Sequence, residues 1–166
     1  MDAKRELVVP TVAVQVHLAL PGKPPIAAEL FVADVPRTGR AQLLDDLAAL
    51  LEDESDFVPV RVDRRVRLYA KQAIAWICVR RREEAPTDYG DDEPSEVIVL
   101  YDRQHRVAIE LRSGAAIAGV LFDSSPSDRP RVVDHLNRSG RFVRLWTASE
   151  HYLIHNAEIV HVTEQD

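Results

Sequence analysis

A single cysteine, Cys78, leaves the chain without a partner for an internal disulfide, and a reducing cytosol is the expected compartment. No stretch of about 18 consecutive apolar residues occurs, so a helical membrane span is not expected. The opening Met-Asp-Ala-Lys-Arg-Glu runs into alternating polar and apolar residues and does not read as a secretory signal. Catalytic signatures are missing too: no Gly-x-Ser-x-Gly, no glycine-rich phosphate loop and no His-Glu-x-x-His is found. Lysine is confined to Lys4, Lys23 and Lys71 among 21 basic residues, a bias that fits a GC-rich genome better than a function.

What is present is enough for a folded core, with 46% hydrophobic and 29% charged residues. The formal net charge of −6 is unevenly placed. Residues 83–96 hold Glu83, Glu84, Asp88, Asp91, Asp92, Glu93 and Glu96 with no basic residue, and Pro86, Gly90 and Pro94 lie among them. That stretch reads as a solvated acidic linker between two near-neutral segments, 1–82 and 97–166.

The two segments repeat one another. Ile-Ala-x-x-Leu-Phe occurs at Ile26–Phe31 and again at Ile117–Phe122. An arginine-led helical stretch follows in each, Arg40 to Leu51 and Arg131 to Arg138, and then Phe57-Val58 and Phe142-Val143. From Phe57 to Phe142 and from Ile74 to Ile159 the spacing is 85 residues, too long for a solenoid unit. A duplicated small domain is expected.

Val12, Val14, Val16 and Leu18 alternate with polar or small residues at the period of a half-buried strand. Pro21-Gly22-Lys23-Pro24-Pro25 breaks the run before a return strand from Ile26. Leu43, Leu44, Leu47, Leu50 and Leu51 form a helical stripe, expected to lay Leu43, Leu47, Leu50 and Leu51 on the sheet. Strands over 57–62, 66–70 and 73–79 follow, with turns at Asp63-Arg64 and Lys71-Gln72. The second segment repeats this order and adds a strand at 97–101, with a loop at 124–130. The expected class is mainly β with two helices (α+β). Each half is a small bent sheet or β-barrel of order strand–strand–helix–strand–strand–strand.

Val107-Ala-Ile-Glu-Leu-Arg-Ser-Gly-Ala-Ala-Ile-Ala-Gly-Val-Leu-Phe-Asp123 and Leu153-Ile-His-Asn-Ala-Glu-Ile-Val-His-Val162 together resemble the two motifs of an Sm-like domain. The resemblance implies a small barrel that assembles through edge strands, and an RNA base held at two loops. Asp123 stands at the first loop position, with Ser127 where the family has Asn, and His155-Asn156 stand in place of Arg-Gly. The helix falls between the second and third strands, whereas the family places it before the sheet.

Arg61, Arg64, Arg65 and Arg67 flank one hairpin turn, with Arg61 and Arg65 expected on one face and Tyr69 near enough to stack. They are the candidate surface for a protein partner or polyanion. His151 and His155 are four apart on a strand, about 13 Å, too far to share an ion, so no metal or other cofactor is expected. Cys78 sits in an apolar strand and reads as a small core residue, not a nucleophile. The chain is therefore expected to be a non-catalytic, cytosolic protein–protein interaction module or adaptor with no membrane partner. The two halves are expected to pack on each other about an approximate two-fold axis, leaving one outer edge on each for homodimerisation or an added partner strand, and Sm-like RNA binding is the alternative function.

Overall fold

The computed structural model describes residues 9–37, 40–80, 103–123 and 131–166. The acidic stretch 83–96, the strand expected at 97–101 and the loop expected at 124–130 lie outside the described residues. The protein is mainly β with two helices among the described residues, as the alternating patterns anticipate. The first five strands are β1 (Thr11–Ala19), β2 (Ile26–Ala33), β3 (Phe57–Val62), β4 (Arg65–Ala70) and β5 (Trp76–Arg80). The next five are β6 (Arg103–Leu111), β7 (Ala116–Asp123), β8 (Phe142–Trp146), β9 (Glu150–His155) and β10 (Ile159–Glu164). Helix α1 (Arg40–Glu52) separates β2 from β3, and α2 (Val132–Arg138) separates β7 from β8.

All ten strands belong to one open sheet with the order β10-β6-β7-β8-β9-β5-β1-β2-β3-β4, every neighbouring pair antiparallel. Within it the run β5-β1-β2-β3-β4 has the same internal order as β10-β6-β7-β8-β9. The registers follow suit: Phe57 faces Ala70 and Phe142 faces His155, while Leu18 faces Ile26 and Ile109 faces Ile117. A 3-10 turn follows both β4 (Lys71–Ala73) and β9 (Asn156–Glu158).

Neither group of five closes into a barrel, which corrects the barrel expectation for both. Closure would pair β4 with β5, but β5 is occupied on both sides, by β1 and by β9. The join runs from Trp76↔Ile154 to Arg80↔Glu150. It also replaces the expected packing about a two-fold axis. The last strand of one group's spatial order meets the first of the other's, so unlike edges pair.

The core divides into two clusters that interleave at this join. Leu18, Leu30, Leu47, Leu51, Val58, Val60 and Ile77 pack with Phe142 and Leu153, which come from the second group. Val107, Ile109, Leu121, Leu145 and Ile154 form the other cluster, with Trp76 of the first group against it. Helix α1 reinforces the contact. The Glu52 carboxylate accepts the Phe142 N–H at 2.7 Å, and Asp45 pairs with Arg144. Its buried side is Leu44, Leu47, Ala48 and Leu51, with Leu43 and Leu50 half-buried on the flanks, so the stripe is rotated from that expected. Gly119 is required where β7 meets β8. A Cβ there would lie 2.5 Å from the Trp146 carbonyl oxygen, so a side chain would force the strands apart. No helix among the described residues is long and apolar enough to cross a membrane.

Candidate functional site

The β3–β4 hairpin is closed by two residues, Asp63 and Arg64, since Val62 pairs directly with Arg65. Both loop residues have positive φ, 49° and 65°, the left-handed pair that matches a two-residue hairpin to the twist of its strands. This short loop fixes which side each arginine takes. Arg61 faces Val66, so it shares a face with Val66 and not with Arg65, the opposite of the shared face expected. An expected strand period cannot be carried across a turn of unknown length.

Arg61 is engaged. Its guanidinium donates to the Glu29 carboxylate and lies over the Phe31 ring, 5.2 Å from the centroid. The shared hydrogen bond raises the Arg61 pKa and lowers that of Glu29, as expected of a formed ion pair. Arg64, Arg65 and Arg67 are exposed, and among the described residues no ion pair involves them. Arg65, Arg67 and Tyr69 face Val62, Val60 and Val58 across the ladder, so they continue the core face of β3 past its covered region. Tyr69 is half-buried against that core. The opposite face carries Phe57, Val66 and Leu68, all three exposed. Because β4 ends the sheet, one side of its backbone has no strand beside it among the described residues. An apolar edge and three cations therefore occur on one strand and the loop that leads into it.

The three residues at the Sm-like loop positions have separate surroundings. Asp123 closes β7 and is buried, with His135 Nδ1 and Arg138 Nη2 of α2 each 3.7 Å from its carboxylate. His155 closes β9, and its Nδ1 accepts the Ala157 N–H at 3.1 Å, capping the 3-10 turn. Its ring stands edge-on to Phe142 at 5.0 Å, and burial lowers its pKa, with the Arg141 charge adding to the effect. The Asn156 N–H donates to the Arg141 carbonyl at 2.9 Å, and its side-chain amide lies 3.4 Å from the Gly140 carbonyl. A half-open hollow of about 240 Å³ lies near α2 and β8, lined by Phe122, His135, Ser139, Gly140, Phe142, Arg144 and Trp146. None of Asp123, His155 or Asn156 lines it.

Cys78 is buried, and burial, with the Glu150 charge adding to it, pushes its thiol pKa up to about 11. A thiol held protonated in this way is a packing group. Of the histidines, His151 is buried edge-on to Trp146 at 3.9 Å, and burial lowers the pKa of His135 despite the neighbouring Asp123. Among the described residues no three His, Cys, Asp or Glu side chains cluster as a metal site would require.

Two features escape sequence reasoning. Lys71, read as part of a turn, is fully buried, with its ammonium on the Asp53 carboxylate and 3.0 Å from the Ser55 hydroxyl. The apolar character of the β4 edge is the other. Leu68 lies 85 residues before Leu153, yet among the described residues only Leu153 has a strand on its far side. Compared with family models, curated proteins and solved structures, the chain matches none.

Proposed function

We propose that this protein is a non-catalytic interaction module, built as a tandem pair of small β units, whose working surface is the β3–β4 hairpin and the open edge of β4. The observation that carries this reading is the combination on β4. Among the described residues, an unpaired backbone edge, exposed Val66 and Leu68 beside Phe57, and three arginines without ion pairs at the hairpin meet there. An edge of this kind accepts an added strand: main-chain hydrogen bonds supply affinity, and alternate side chains supply selection. The tandem reading is supported by the recurring strand order and register, and it is this reading that carries the Sm-like resemblance. A cytosolic setting fits the lone buried thiol.

A polyanion such as RNA is the second reading, and what favours it is Arg65, Arg67 and Tyr69 on one strand with Arg64 in the loop before it. One pair of experiments tests both. Arg64→Glu/Arg65→Glu should lose partners that wild type retains in a pull-down. If that variant retains every partner, the hairpin is only a solvated tip. Binding to single-stranded RNA that falls steeply as salt rises would favour the second reading over the first.

A further inference from the structure

Each helix is followed in the chain by a β-hairpin and packs on one face of it. Val132 and Leu136 of α2 lie with Val143 and Leu145 of β8, and Leu44, Leu47 and Leu51 of α1 lie with Val58, Val60 and Val62 of β3. The β8–β9 hairpin has a second helix on its other face. Phe142 and Leu153 turn away from α2 into the α1 core, where Glu52 accepts the Phe142 N–H and Asp45 pairs with Arg144. The β8–β9 hairpin is therefore held between two helices. Among the described residues, β3–β4 has a helix on one face and nothing on the other.

Register identifies the matching positions. Phe142↔His155, Arg144↔Leu153 and Trp146↔His151 correspond to Phe57↔Ala70, Pro59↔Leu68 and Arg61↔Val66. Phe142 and Leu153 are 5% and 2% exposed, whereas Phe57 and Leu68 are 57% and 70% exposed. Val66 and Pro59 are exposed beside them. Towards β2 the patch ends at the Arg61–Glu29 ion pair, which lies over Phe31. Single exposed apolar residues are ordinary, but four together, on a face whose match is covered by a helix, mark a docking surface.

We propose that this bare face receives an amphipathic helix from another protein, packed on β3 and β4 as α1 is packed on Phe142 and Leu153. Helix α1 shows the chemistry required. Its apolar side chains recur at i, i+3, i+4 and i+7, as Leu44, Leu47, Ala48 and Leu51, and its flank carries the carboxylates of Asp45 and Glu52. Carboxylates suit the β3–β4 hairpin as well, because Arg64 at its tip has no ion pair among the described residues. The described helices of a second copy do not supply this occupant, since the apolar sides of α1 and α2 are already turned into their own cores. The proposal deepens the interaction-module reading, on which it rests, by giving the partner its form. It uses the face of the hairpin and not the backbone edge of β4.

The probe is a fluorescein-labelled peptide with the sequence of Arg40–Glu52, held helical by a lactam bridge on its polar side. It is titrated with the full chain and read by fluorescence anisotropy. Wild type should bind it saturably, and Phe57→Ser/Leu68→Ser should weaken binding by about tenfold or more. Phe57 lies on β3, one strand in from the edge, so a strand added along β4 would not depend on it. Val66→Ser reads the same face independently, and Val160→Ser, an equally exposed valine on β10, should bind as wild type does. All four positions are exposed, and circular dichroism checks that the variants fold. No saturable binding by wild type, binding that neither face variant weakens, or an equal loss in Val160→Ser would overturn the proposal. Light scattering addresses the other occupant: a wild type that self-associates and becomes monomeric in Phe57→Ser/Leu68→Ser would assign the face to a second copy and overturn it too. If the peptide fails to bind while Arg64→Glu/Arg65→Glu still loses pull-down partners, this proposal fails and the interaction module stands.

Discussion

Lys71 is fully buried, and its ammonium is met by the Asp53 carboxylate, the Ser55 hydroxyl at 3.0 Å and the Asp53 carbonyl at 3.5 Å. A lone ammonium could not be buried without such partners. The cluster ties the loop after α1 to the turn after β4, where the Lys71 N–H also donates to the Asp56 carbonyl at 2.9 Å. Its consequence for pH lies with Asp53, whose pKa falls from 3.8 to about 2, chiefly through the Lys71 hydrogen bond and then through Ser55. A carboxylate lowered on folding contributes stability that is complete above the unfolded value of 3.8 and is lost as pH falls through about 2. Asp53→Asn should therefore unfold at lower urea than wild type near neutral pH, with the gap closing near pH 2. A gap of constant size across that range would remove the ion pair from the account. Lys71 was not legible in the sequence because Lys-Gln after a strand reads as a turn. Only the carboxylate 18 residues earlier makes its burial tolerable.

Helix α1 shows how far periodicity reaches at the scale of an element. Its leucine spacing identified a helix and an apolar stripe, and Arg40–Glu52 is the helix observed. The stripe could not say which leucines lie deepest, because that depends on the direction from which β2 and β8 approach. Leu47, fully buried, lies at the centre of the packed side. Leu47→Ala should lower stability by ~2–5 kcal/mol, read as a shift in denaturant midpoint. An unchanged midpoint would mean that α1 does not pack as described. Strand β4 shows the reverse problem. Arg65 to Ala70 alternates like a half-buried strand, yet none of its residues is fully buried, since alternation cannot distinguish a strand inside a sheet from one at its edge. The facing of Arg61 was likewise set by the two-residue loop and not by strand period.

At the scale of the whole molecule, the mainly β class and the placing of both helices among the described residues were legible, because alternation, turn signals and a leucine stripe mark them along the chain. The continuity of the sheet was not. Nothing local in Trp76 to Arg80 announces that it pairs with Glu150 to His155, and both stretches read as ordinary apolar strands. The Sm-like loop positions Asp123, His155 and Asn156 were legible only as motif matches; here they support α2, a 3-10 turn and local backbone. The central claim is that the inner β5–β9 join is permanent while the equivalent outer edges, β4 and β10, are open to a partner. Amide hydrogen exchange of the isolated protein tests this most directly. β5 and β9 should be strongly protected, whereas the outward-facing amides of β4 and β10 should exchange fast. β5 and β9 exchanging as fast as those edges, or β4 and β10 protected as strongly as the join, would contradict it.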